Sequence, residues 1–191
     1  MIAIGIDPGT RRLGWGVVRR DGQRLLHLGH GVLRLDCSEE LAPRLVLLAE
    51  GLEKIIHDYE PEVGSVEGIF FDKNAQSAAK LGHARGVVLM LLQRAGIPVR
   101  EHAPARIKRS LTGHGQADKT QVAQIVCALL GLEKAPPLDA SDALAIAITE
   151  LKRDPRAIVA EQVSKKNRRK KVAPHFAAAL ARTKARRNQS S

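Results

Sequence analysis

The first ten residues, Met1-Ile2-Ala3-Ile4-Gly5-Ile6-Asp7-Pro8-Gly9-Thr10, constrain the chain more than any other stretch. An Ile-rich run reads as a buried strand, and Pro8-Gly9 is a turn signal that ends it. Asp7 is thereby left at the carboxyl end of a core strand. An ionised side chain is costly there unless something compensates its charge. A cation, or a phosphate ester reached through a cation, is the natural partner. The plainer alternative is a turn cap, a common role for Asp before Pro-Gly. This segment alone does not separate the two.

The size of the chain limits what can surround that strand. At 191 residues and 44% apolar content it holds one globular domain with a full core, plus appendages. Aromatic residues make up only 3%, so the core is built from Leu, Ile, Val and Ala. The longest apolar run, Gly86 to Leu92, is far short of the ~18 residues a membrane span needs. Asp7 interrupts the N-terminal apolar stretch too early for a secretory signal. Cys37 and Cys127 have no metal-ligand spacing, and Cys127 sits among Val122, Ile125, Val126 and Leu130, which predicts a reduced, buried thiol. These features predict a cytoplasmic protein with no membrane segment.

Charge divides the chain in two. Residues 151–191 carry 13 Lys/Arg and 2 Asp/Glu, whereas residues 1–150 carry 18 of each sign. The whole formal charge of +11 therefore lies in the tail. The expected organisation is a domain over 1–153 and a basic tail over 154–191, flexible or partly helical. Within the tail, Lys165 to Lys171 is too dense in like charge to fold alone, and 174–185 has helical spacing with Phe176 and Leu180 on one side.

Residues 2–7, 13–20 and 24–35 read as three strands of an antiparallel meander, although Gly14 and Gly16 weaken the second as an isolated strand. Ser38-Glu39-Glu40 opens a helix with Leu45, Leu48, Leu52, Ile55 and Ile56 on its apolar face, ending near Tyr59. Val63 to Glu67 is a fourth strand, again ending in a carboxylate. A long helix from about Asn74 to Ala95 follows; its second half is apolar all round, and Ala78, Gly82 and Gly86 suit close approach of another helix. Then come a strand from Ile97 to Glu101, a short basic helix from Pro104 to Leu111, a helix capped by Asp118, and a last helix from Asp139 to about Arg153. This order predicts an α/β fold, a mixed five-stranded sheet flanked by helices.

Asp139 and Asp142 stand three residues apart at the start of that last helix, where carboxylates suit the helix dipole. Capping accounts for either one alone. Asp7 and Glu67 change the picture, because strand ends on one side of such a sheet define its ligand crevice. Four carboxylates meeting there repel one another without a cation. All-oxygen ligation suits Mg²⁺ or Mn²⁺, and two such ions ~4 Å apart are a device for phosphodiester hydrolysis.

Four segments make the chain recognisable at this point. Gly5-Ile6-Asp7-Pro8-Gly9-Thr10-Arg11, Val66-Glu67-Gly68-Ile69-Phe70, Lys80-Leu81-Gly82-His83-Ala84-Arg85-Gly86 and Asp139-Ala140-Ser141-Asp142-Ala143-Leu144-Ala145 closely resemble the motifs of the RuvC family of crossover junction endodeoxyribonucleases. The resemblance covers residues 1 to about 152. It implies an RNase H-like fold and a homodimer that resolves four-way (Holliday) DNA junctions by paired nicks with Mg²⁺. It also implies Asp7, Glu67, Asp139 and Asp142 as the acidic tetrad, Phe70 as an aromatic on unpaired bases, and Lys108 and Lys119 as basic residues beside the site. A branch-migration motor as partner is implied by the resemblance alone. Two departures stand out: Gly68 where Gln is usual, and Trp15 where Tyr is frequent.

The residues support several of these roles independently. Phe70 and Phe71 are adjacent, so on an extended segment one faces the core and the other solvent; an exposed ring stacks on a splayed base for ~1–3 kcal/mol. Lys119 follows the Asp118 cap, where helix N-terminus and ammonium together suit a phosphate. Lys108 and Arg109 on the basic helix, Arg11 and Arg12 after the first turn, and Lys73 are further candidate DNA contacts. His83, His102 and His114 have no partner ligand at metal spacing and read as surface or core histidines; a catalytic part for His102 or His114 stays open.

Other classes fit less well. Sugar kinases and related ATPases share an Asp-x-Gly-Thr turn but need a second lobe, for which ~150 ordered residues leave no room. An RNA-processing nuclease of similar fold and a non-catalytic nucleic-acid binder remain; the intact tetrad disfavours the second. Deleting residues 160–191 is expected to weaken DNA binding at high salt and leave the cleavage position unchanged, checked by gel shift and mapping of the nicks.

Overall fold

Alternation along the first strand decides which way each side chain faces. The computed structural model describes residues 1–36, 38–68, 75–113 and 118–153. Its elements are β1 (Ile2–Asp7), β2 (Arg12–Asp21), β3 (Arg24–Arg34), α1 (Leu41–Tyr59), β4 (Val63–Glu67), α2 (Ala75–Arg94), β5 (Val99–His102), α3 (Pro104–Thr112), α4 (Lys119–Leu130) and α5 (Leu138–Leu151). They form one five-stranded sheet in the order β3-β2-β1-β4-β5. The β1–β2 and β2–β3 pairs are antiparallel, and β1–β4 and β4–β5 are parallel. The mixed sheet is the expected one.

Two cores lie on opposite faces of this sheet. Ile4, Ile6, Leu13, Val17 and Val66 pack with Leu48, Leu52 and Ile55 of α1 and Val88, Leu91 and Leu92 of α2. Ala3, Val18 and Val63 pack with α3, α4 and α5 through Ile107, Leu111, Val122, Val126 and Leu144 to Ile148. Period two then puts Asp7 and Glu67, which end β1 and β4, on the α5 face.

Helix α5 is buried along nearly its whole length, from Ala140 to Leu151, with Asp142 the main exception. Burying Leu144, Ile146, Ile148 and Leu151 contributes roughly 1.5–3 kcal/mol each before conformational entropy is subtracted. Its close seat on the sheet requires glycine. A Cβ on Gly5 would lie 2.0 Å from the Ala143 carbonyl oxygen, one on Gly14 1.9 Å from the Asp139 carbonyl oxygen, and one on Gly16 2.7 Å from the Leu144 side chain. The glycines that weaken β2 as an isolated strand are thus the track on which α5 rests.

Several local expectations are corrected. Helix α1 starts at Leu41 with Glu40 as N-cap and no side-chain cap bond, while the Ser38 amide donates to Asp36 Oδ1 instead, so Ser38 belongs to a turn. The last strand is shifted, covering Val99–His102 rather than 97–101. Cys127 is a half-buried free thiol rather than a fully buried one. Helix α2, apolar all round in its second half, keeps one side open: Val88, Leu91 and Leu92 are buried, whereas Gly86 is exposed and Met90 is 48% exposed. Nothing within the described residues lies within 4 Å of a Cβ placed on Gly82 or Gly86.

Gly5→Ala is expected to lose about 3 kcal/mol or more of stability, because the contacted atoms are helix backbone and cannot rotate aside. Urea denaturation of the variant beside the parent protein measures it.

Candidate active site

The two strand ends lie side by side because β1 and β4 are parallel neighbours with Ile6 opposite Val66. Asp7 and Glu67 come one residue later on each strand. On the other flank of β1, Asp7 pairs with Gly14 of β2, the residue over which the Asp139 backbone sits. The glycine track therefore brings the N-terminal turn of α5, with Asp139 and Asp142, to the ends of β1 and β4.

Electrostatics record how close these groups are. Burial raises the Asp7 pKa from 3.8 to about 7, and the neighbouring charges of Asp142, Glu67 and Asp139 add to the rise, with Lys119 opposing. Glu67 is raised as well, by burial first and by Asp142 second, against Lys119 and Lys108. Asp139 lies in the first turn of α5, whose N-cap is Pro137 without a side-chain bond, so it is not the helix cap. Its Oδ2 lies 3.9 Å from Arg12 Nη1, and Asp142 Oδ2 lies 3.5 Å from Lys119 Nζ.

Among the described residues, no three His, Cys, Asp or Glu side chains are gathered into a metal-holding group. The donor set nevertheless suits a divalent, oxygen-preferring cation. A half-buried Asp7 pressed by three like charges is relieved by a cation at their centre, and the surrounding ligands are all carboxylate oxygens.

Beside them opens a cleft of about 280 Å³ lined by Glu67 and Asp142, by Pro104, Ile107 and Lys108 of α3 and its start, and by Lys119 and Val122 of α4. One wall is thus acidic and the other carries two ammonium groups. Asp118 caps α4 through a reciprocal box with Gln121: the Asp118 carboxylate accepts from the Gln121 amide at 2.8 Å, and the Gln121 side chain accepts from the Asp118 amide at 3.2 Å.

The other predicted residues fall at varying distances from this cleft. Arg11, Arg12 and Arg109 are exposed, and of these Arg12 is tied to the tetrad through Asp139. His83 is exposed on α2. His102 is buried with Nε2 2.9 Å from Glu150 Oε2, deep against α5, and has no part in the cleft lining. Phe70, Phe71, Lys73, His114, Cys37 and the tail from 154 lie outside the described residues.

Arg85, to which the sequence reading gave no role, touches the strand that ends in Glu67. Its guanidinium, 5% exposed, donates through Nη1 to the Glu67 carbonyl oxygen and lies 2.8 Å from Glu101 Oε2 through Nη2. The available signal was an arginine inside an otherwise buried helical segment.

Comparison with known proteins gives one consistent result. The family described as Crossover junction endodeoxyribonuclease RuvC matches residues 3–150. A protein of that description from Sorangium cellulosum is 53% identical over 151 residues, covering 79% of this chain and 84% of its own length. The solved structure of Thermus thermophilus RuvC in complex with Holliday junction substrate superposes with TM-score 0.76 at 38% identity, covering 79% of this chain and 93% of that one. The yeast mitochondrial Holliday junction resolvase Ydc2 shares the fold with TM-score 0.57 at 12% identity, covering 77% of this chain and 76% of its own.

The raised Asp7 pKa has a measurable consequence. Asp7 titrates near 3.8 unfolded and near 7 folded, so the folded state holds its proton to higher pH. In EDTA the protein is expected to lose stability as pH rises from about 4 through 7, by up to about 4 kcal/mol from this group. Asp7→Asn removes that loss. Urea denaturation of both proteins at pH 4.5 and 7.5 measures it; parallel behaviour of the two contradicts the burial of charge.

Proposed function

This chain belongs to the RuvC family of crossover junction endodeoxyribonucleases, and on that footing we propose how its own residues resolve a four-way (Holliday) DNA junction. The observation that carries the reading is Asp7, half-buried at the end of a core strand and raised in pKa by burial and by three further carboxylates. Asp7, Glu67, Asp139 and Asp142 are the residues that would hold divalent cations: Mg²⁺, with Mn²⁺ as substitute and two ions per site. Held there, such ions would supply Lewis-acid chemistry: activation of a water for attack on phosphorus and stabilisation of charge on the leaving oxygen.

The protein side of the reaction is a change of partners. In the free protein Lys119 and Arg12 neutralise Asp142 and Asp139. With the carboxylates engaged by cations, both basic groups would be available to the incoming phosphodiester. Lys119 stands in the first turn of α4, so its ammonium and the helix N-terminus bear on the same phosphate. Lys108, across the cleft, supplies a second contact, and Arg11 and Arg109 extend the positive rim along the DNA backbone. Phe70 follows Glu67 by three residues and is assigned to stacking on an unpaired base at the crossover.

Resolution of a two-fold junction requires two symmetric nicks, which two copies of one site deliver. Gly86 and Met90 exposed on α2, with Gly82 half-buried beside them, and Val46 and Leu47 exposed on α1, which packs against it, support a homodimer through these helices. No helix among the described residues is long and apolar enough to cross a membrane, in keeping with a cytoplasmic enzyme acting on DNA. The basic tail acts as a non-specific DNA arm, and a branch-migration motor is the proposed partner at the junction.

Asp7→Asn is expected to slow junction cutting by roughly three orders of magnitude while junction affinity changes little. Mg²⁺-dependent cleavage of a synthetic four-way junction, a linear duplex and an RNA hairpin, run side by side, tests the substrate. Preference for the hairpin, or equal cutting of the duplex, overturns the assignment.

A further inference from the structure

Parallel pairing leaves one carbonyl at the site without a ladder partner. The Gly64 and Gly68 amides donate to β5, to the Pro98 and His102 carbonyl oxygens at 3.0 and 2.8 Å. Backbone groups alternate sides along a strand, so Ser65 and Glu67 turn theirs toward β1. The β1–β4 register has Gly5 opposite Ser65 and Ile6 opposite Val66, which puts Asp7 level with Glu67. In a parallel ladder the Glu67 carbonyl then accepts from the residue one beyond Asp7. That residue is Pro8, which has no N–H to give.

Arg85 supplies the missing donor from the opposite face of the sheet, through the bond from Nη1 to the Glu67 carbonyl. Its second nitrogen pairs with Glu101, which alternation points toward α2 while Arg100 and His102 turn toward Glu150 on α5. Glu101 is largely exposed, so that ion pair alone does not explain a buried guanidinium. A planar fork that reaches a carbonyl and a carboxylate together is a property of Arg and not of Lys.

We propose that Arg85 is a positioning residue for the reaction: it replaces the backbone donor that Pro8 lacks and so fixes the end of β4, from which Glu67 projects into the carboxylate cluster. It lies across the sheet from the cleft and acts only through the Glu67 backbone. The inference rests on the reading of Glu67 as a cation ligand, and the experiment separates the two.

Full-length protein carrying Arg85→Gln is titrated with Mn²⁺, bound ion being followed by electron paramagnetic resonance without DNA, and the Mg²⁺ dependence of junction cutting is measured beside it. Expected are a roughly tenfold weaker Mn²⁺ affinity and a matching rise in the Mg²⁺ needed for half-maximal cutting, with junction affinity in EDTA within twofold of the parent. Arg85→Lys is expected to fall between parent and Arg85→Gln. The decisive comparison adds Pro8→Ala, which restores an amide at position 8. In that background Arg85→Gln is expected to cost less than threefold in Mn²⁺ affinity, since the new N–H takes over the Glu67 carbonyl. An undiminished tenfold loss there, or no loss in Arg85→Gln alone, overturns the proposal. Glu67→Gln tests the underlying reading: Mn²⁺ affinity unchanged in that variant removes Glu67 as a ligand, whatever Arg85 does.

Discussion

Contact between the backbone of α5 and the β1–β2 pair is possible only because positions 5, 14 and 16 have no side chain in the way. Ordinary helix-on-sheet packing keeps elements roughly 10 Å apart, with side chains filling the gap. Here the helix is lowered onto the strands, and its first turn comes to rest over Gly14, level with Asp7. That one contact brings a residue from the far end of the domain to the first strand. Without it, Asp139 and Asp142 would be ordinary acidic residues at the start of a helix.

The arrangement opposes charge to burial. Asp7 sits at the end of a strand whose other face is sealed by α1 and α2, with like charges on three sides. Folding stability would be served by an apolar residue there. Lys119 opposes the rise at Asp7, and Lys119 and Arg12 lie close to Asp142 and Asp139.

The sheet's other edge is organised by charge of both signs. Strand β5 is an edge strand, and exposed edges invite unwanted pairing. It carries Arg100, Glu101 and His102 in succession, and period two divides them between the two helical layers, Glu101 toward Arg85 and the others toward Glu150. The edge is thus latched to α2 and to α5, the two helices that bear on Glu67 and on the Asp139–Asp142 turn.

Much of this was legible in the sequence, for a reason that differs by residue. Strand and helix periodicity are local, so β1 through β4, the Asp118 cap and the apolar faces of α1 and α5 could be read from spacing. Asp7 and Glu67 stood out because a carboxylate closing an apolar strand breaks its own pattern. Other features were beyond any local reading. Gly14 and Gly16 looked like defects of a strand, since nothing within the segment says that a helix some 125 residues later lies on them. The second half of α2 read as apolar all round, but composition does not say which of its apolar residues have neighbours in the fold. Arg85 showed in the sequence only as an arginine inside a helical segment, because its bond to the Glu67 carbonyl joins a helix to the end of a strand. The sequence by itself determined which elements form and where along them the carboxylates fall. Only the tertiary structure decided who stands opposite whom, because register, close approach and the sharing of charge are relations between segments, and no single segment contains them.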